Sequence, residues 1–108
     1  MTTFSQLEIL AKEIEAKAFS SPDSSYTAKL LSRGVEKCAK KLGEEAVELV
    51  IAAVEKNKAE VTKEAADVLY HLLVLLQAAG VSPSAVMDEL KRREGTSGLA
   101  EKASRPHD

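Results

Sequence analysis

Five carboxylates in two short clusters are the residues of this 108-residue sequence whose types and spacing point to chemistry. Glu44, Glu45 and Glu48 lie within KCAKKLGEEAVELVIAAV, residues 37–54, and Glu64 and Asp67 follow as Glu-Ala-Ala-Asp. At ~100° per residue of helix, Glu44 and Glu48 stand one turn apart on nearly one line, and Glu45 and Glu48 are ~60° apart. Like charges at those spacings repel, by on the order of tenths of a kcal/mol per pair even when solvated. Glu48 is the one polar residue between Ala46 and Val54, and no base follows it within a turn. An acidic cluster on so apolar a helix needs a cation. All-oxygen ligands favour hard ions, so the expected cofactor is Mg²⁺, with Mn²⁺ as a substitute.

Two other readings of the acids compete with this one. A ferritin-like di-iron centre is also a carboxylate bundle, but its Glu-x-x-His signature is absent, and Glu-x-x-Glu and Glu-x-x-Asp stand instead. A merely solvated stripe would put the charges on a polar face, whereas Glu48 and Asp67 interrupt apolar runs. His71, four residues after Asp67, reads as a packed or hydrogen-bonded helix histidine, since a hard-metal site does not require it. Lys37, Lys40 and Lys41 form a basic face about a turn before the acids. Such a run is ordinarily solvated, yet beside a metal site it is the arrangement that holds a polyphosphate. Residues 25–34 carry Ser25, Thr27, Lys29 and Arg33. Two readings stay open there: an ordinary connecting loop, and a loop whose cations and hydroxyls meet phosphates.

Helices must position these groups. A first helix is expected from about Ser5 to Ala18, with a Thr3/Gln6 or Ser5/Glu8 capping box and outward Glu8/Lys12 and Glu13/Lys17 pairs. The second should run from about Val35 to Lys56 with Gly43 inside it, and the third from Lys58 to about Ala79, capped by Asn57. These two form a tight antiparallel hairpin. Counting outwards from the turn at ~1.5 Å per residue puts Glu48 level with Glu64, and Glu45 level with Asp67 a turn further out. Gly80 ends the third helix, Ser82 caps a fourth and Pro83 occupies its first position. Residues 46–54 and 65–76 are apolar almost all round, and the short outer helices are too little to cover them. The expected architecture is therefore all-α: a helical bundle around a central antiparallel hairpin, completed by homodimerisation. It divides into a single domain, 1–95, and a C-terminal tail, 96–108, either frayed or closing over a ligand.

Composition narrows the class. Hydrophobic residues make up 44% and charged residues 30%, a folded rather than disordered balance. A net charge of −2 argues against a nucleic-acid polymer as partner. The single Cys38 cannot form an internal disulfide and reads as a small buried helix residue, which suits a cytoplasmic location. The N-terminus lacks the order of a signal peptide, and the longest apolar run, 68–76, is too short to span a bilayer.

The acidic spacing, Glu44-Glu45-x-x-Glu48 followed by Glu64-x-x-Asp67, resembles the EExxE…ExxD signature of the MazG-like all-α nucleotide pyrophosphohydrolases. SYTAKLLSRGVEKCAKKLGEEAVELVIAA, EAADVLYHLLVLL and SGLAEKASRP are similar, more narrowly, to the standalone phosphoribosyl-ATP pyrophosphohydrolase family. The resemblance implies hydrolysis of phosphoribosyl-ATP between its α and β phosphates, giving phosphoribosyl-AMP and pyrophosphate in histidine biosynthesis. It implies that Glu44, Glu45, Glu48, Glu64 and Asp67 hold Mg²⁺ and conduct the hydrolysis; since adjacent residues cannot both point straight into the site, Glu44 or Glu45 is the candidate to take the proton. Arg33, Lys37, Lys40 and Lys41 are then the candidates for the triphosphate, and Lys102 and Arg105 close from the tail. Two rivals remain: a relative acting on other nucleoside triphosphates, and a non-catalytic dimeric helical module.

Overall fold

The computed structural model describes residues 2–95 and 97–106. Six helices follow one another: α1 (Ser5–Lys17), α2 (Tyr26–Ser32), α3 (Gly34–Val54), α4 (Lys58–Ala79), α5 (Pro83–Arg93) and α6 (Gly98–Ser104). The fold is all-α, as expected. Its centre is the α3–α4 hairpin, and α1 and α2 pack across that hairpin. The core is small and aliphatic: Ile14, Leu30, Cys38 and Val74 are buried, with Leu10, Leu31, Tyr70, Leu73, Leu75 and Ala78 packed against them. Cys38 is a core residue, 1% exposed, its thiol directed at the Leu30 carbonyl and pushed upward in pKa by burial. Among the described residues no single helix is long and apolar enough to cross a membrane.

The hairpin turn follows from its caps. Asn57 Oδ1 accepts the Glu60 amide at 3.1 Å and starts α4 where the sequence predicts, while Lys56 takes a left-handed φ of 59° to reverse the chain. At the far end Gly80, with φ 74°, closes α4 in the left-handed conformation a side chain would resist. Ser82 Oγ then accepts the Ala85 amide at 3.1 Å and Pro83 opens α5, bent 108° away from α4.

Three expectations are corrected. Residues 26–32 form α2, not a loop: Ser25 Oγ caps it by accepting the Ala28 amide at 3.1 Å, and Thr27, Ala28 and Leu30 are buried. The burial is what sequence periodicity over so short a stretch could not reveal. Gly34, at φ 87°, makes the bend that lets α2 run directly into α3. At α1 neither capping box forms; Thr3 Oγ1 contacts Ser5 Oγ at 2.6 Å and accepts the Ser5 amide at 3.3 Å. Glu8 and Lys12 pair at 3.7 Å, whereas Glu13 and Lys17 form no ion pair.

Candidate metal centre

Glu45 and Glu48 lie on α3 with their side chains one turn apart, and the hairpin lays Glu64 of α4 against them. A carboxylate oxygen from each of the three comes within 4.8 Å of the other two. Glu45 and Glu64 are half-buried and Glu48 is exposed, so the group opens to solvent on the Glu48 side. One oxygen, Glu64 Oε2, is buried with no hydrogen-bond partner among the described residues. Burial first, then the neighbouring charge and hydrogen bond of Glu48 and the charge of Asp67, raise the carboxyl pKa of Glu45. Glu64 is raised likewise by burial, then by the charges of Glu48 and Asp67, with Glu60 adding to them.

Such a group is short of positive charge. Lys41 supplies some, with Nζ 3.9 Å from Glu44 and 3.9 Å from Glu45, but it reaches the cluster from one side only. A buried, unpartnered carboxylate oxygen among converging acids is what a hard divalent ion satisfies: oxygen ligands, negative charge and an open face for water or substrate. The donor set therefore fits such an ion.

The remaining candidate residues fall into distinct places. Asp67 is half-buried and acts electrostatically on both Glu45 and Glu64 without joining the close triad. Glu44 is exposed and turned to Lys41. Upstream on the same helix, Lys37 is half-buried and Lys40 exposed, and Arg33 caps the N-terminus of α3. Lys102 is exposed on α6. Arg105, just beyond α6, acts on Glu89 of α5, whose carboxyl is held low first by its hydrogen bond to Arg92. The charges felt by Glu45 and Glu64 come from the hairpin itself, not from the tail.

His71 is 6% exposed and stands edge-on to Tyr70 at 5.0 Å, with Nδ1 buried and unpartnered. Burial, and then the Lys41 charge, lower its pKa, against opposing pulls from Asp67 and Glu44. It is a packed histidine. Gly43 leaves open space where a Cβ would stand, with no other described atom close to it.

Sequence reasoning missed a contact between α2 and α4. The only two tyrosines of the chain, Tyr26 and Tyr70, stack with ring centroids 6.5 Å apart and planes 18° off parallel. Their scarcity was the one available signal. Thr27 Oγ1 and Tyr70 Oη share a hydrogen bond of 2.5 Å beneath them. The hydroxyl of Thr27 is therefore spent on packing.

A family model described as phosphoribosyl-ATP pyrophosphohydrolase matches residues 7–94. A phosphoribosyl-ATP pyrophosphatase of Cereibacter sphaeroides (strain ATCC 17025) is 62% identical over 101 residues, covering 94% of this chain and 98% of the relative. One from Dinoroseobacter shibae is 58% identical over 94% of this chain and 99% of its own length. A third, from Ruegeria pomeroyi, is 55% identical over 93% and 95%.

Proposed function

Because the chain belongs to the phosphoribosyl-ATP pyrophosphohydrolase family, we propose that it hydrolyses 1-(5-phosphoribosyl)-ATP between the α and β phosphates. The products are 1-(5-phosphoribosyl)-AMP and pyrophosphate, and the step belongs to histidine biosynthesis. The observation that carries this reading to the residues is the Glu45–Glu48–Glu64 triad with its buried, unpartnered Glu64 oxygen.

Glu45, Glu48 and Glu64 would hold Mg²⁺, with Asp67 contributing charge from the next turn of α4. When bound, the ion neutralises phosphate oxygens and lowers the pKa of a coordinated water. Glu44, the acid of the five that faces Lys41 from the exposed side, is our assignment for the group that accepts the proton of the attacking water. Lys41 orients Glu44 and Glu45 from a single ammonium. Lys37 and Lys40 further up α3, and Arg33 at its N-terminal cap, meet the β and γ phosphates as the leaving pyrophosphate separates. Lys102 and Arg105 approach from the tail once substrate is present. The working enzyme is a cytoplasmic homodimer of one domain, 1–95, with residues 96–108 as a closing tail.

The test is pyrophosphate release from phosphoribosyl-ATP and from ATP, each with Mg²⁺ and with a chelator. Mg²⁺-dependent release that favours phosphoribosyl-ATP is the expected result. A preference for ordinary triphosphates would reassign the substrate while keeping the metal centre. No release from any nucleotide would leave only a helical interaction module.

A further inference from the structure

A pocket of about 410 Å³ lies beside the stacked tyrosines, lined by Pro22, Asp23, Ser24, Ser25, Tyr26 and Lys29. Its size is within the ~300–1,000 Å³ typical of small-molecule sites. Three features mark it as more than a surface dent. Tyr26 is 56% exposed while its ring rests on Tyr70, so a rigid aromatic face is presented to solvent. Lys29, one turn along α2 from Tyr26, has no ion-pair partner among the described residues, and neither has the Asp23 carboxylate. The platform is also tied to the acidic triad: Tyr70 stands on α4 three residues beyond Asp67, ~4.5 Å further along the helix axis and ~9 Å from Glu64. Measured along α4, the tyrosine platform thus stands beyond the triad, on the side away from the hairpin turn.

An aromatic platform with an unpaired cation at its edge takes a planar base that carries a phosphate on its far side. ATP has no such phosphate; the proposed substrate does, on the ribosyl group joined to adenine. Resting on the function proposed above, we propose that the Pro22–Lys29 pocket is the subsite for the phosphoribosyl-adenine end of the substrate. Tyr26 stacks on the base, Lys29 pairs with the 5-phosphate of the appended ribosyl group, and Asp23 accepts hydrogen bonds from that ribose. Lys29 is the residue that separates this substrate from ordinary triphosphates, because a site with an unmet charge rejects the ligand that lacks its partner.

Two measurements test this. In steady-state hydrolysis, Lys29→Gln should raise KM for phosphoribosyl-ATP by ~10-fold or more with kcat little changed, as for one lost charge-assisted hydrogen bond, and leave the ATP reaction unaltered. Tyr26→Leu should raise KM for both, and Tyr26→Phe should restore it. In calorimetry without metal, wild type should bind phosphoribosyl-AMP more tightly than AMP, and Lys29→Gln should erase the difference. If wild type turns over phosphoribosyl-ATP and Lys29→Gln keeps both its KM and its preference for phosphoribosyl-AMP, the subsite is wrong and the function stands. If wild type neither binds nor hydrolyses the phosphoribosyl nucleotides, the functional reading fails, and the subsite with it.

Discussion

Glu48 is the residue on which the acidic centre turns. It lies next to both other members of the triad, and its charge contributes to the raised carboxyl pKa of Glu45 and of Glu64. A carboxyl whose pKa is higher folded than unfolded holds its proton more tightly in the native state. Stability from that source is full below the unfolded value, near pH 4.5, and is lost as pH rises through the folded value. At neutral pH the metal-free triad therefore works against the fold. Glu48→Gln should raise the melting temperature in chelator by a few degrees at pH 7.5, and the gain should shrink towards pH 4 as Glu45 and Glu64 protonate. Mg²⁺ should stabilise wild type more than the variant, and Mg²⁺-dependent turnover should be abolished. Thermal scans across pH, with and without Mg²⁺, decide it; a variant less stable than wild type in chelator at pH 7.5 would mean the triad is not strained. The five acids were legible in the sequence because charge interrupting apolar helix is costly and therefore conspicuous. Which of them converge was not: separating Glu45 from Glu44 required the rotational setting of α3 against α4, and the pairing of Lys41 with Glu44 and Glu45 required the side-chain geometry.

At the scale of elements, α1, α3, α4 and α5 were readable and the seven-residue α2 and α6 were not. Asn57, Gly80, Ser82 and Pro83 are capping residues whose local chemistry fixes the ends of α4 and the start of α5 without help from the rest of the chain. Helix α2 has only seven residues, and it exists because Thr27, Ala28 and Leu30 are buried against α3 and α4, a tertiary cause that no local pattern announces. Helix α6 is as short, with Ser97 Oγ capping it through the Ala100 amide at 3.1 Å, but Leu99 is 84% exposed. Little apolar burial holds that helix, and its Lys102 is exposed where a polyanionic substrate could reach it at small conformational cost. Ending the chain after Gly95 should leave the melting temperature nearly unchanged and weaken phosphoribosyl-ATP turnover by about an order of magnitude, the effect of losing a charged contact. Parallel thermal melts and kinetics of the truncated protein check both halves; unaltered kinetics would return the triphosphate to Arg33, Lys37 and Lys40 alone.

The whole chain exposes more surface than a folded monomer of its size should. Its accessible area is 8134 Å², against roughly 5,800 Å² expected for 11.6 kDa, and its radius of gyration is 15.8 Å against ~13 Å. The excess includes an ordered apolar face. Val47, Val50, Ile51 and Val54 recur on α3 at i, i+3, i+4 and i+7 and are 58%, 60%, 51% and 75% exposed; Leu69 and Leu72 of α4, at 41% and 36%, add to the exposed apolar surface of the hairpin. In the proposed homodimer a two-fold contact would set this apolar stripe against its duplicate. An excess of roughly 2,300 Å² per chain is more than the ~800 Å² per partner of an ordinary interface, and within what obligate homodimers bury. Glu48 is the neighbour of Val47 at the margin of this face, so pairing would also draw the acidic triad towards the partner and limit its contact with bulk water. Light scattering at micromolar concentration should give about twice 11.6 kDa. Val50→Glu, a charge at the middle of the stripe, should shift the population to monomer and lower the melting temperature. A wild-type chain that scatters as a stable monomer would mean that the apolar stripe has another use.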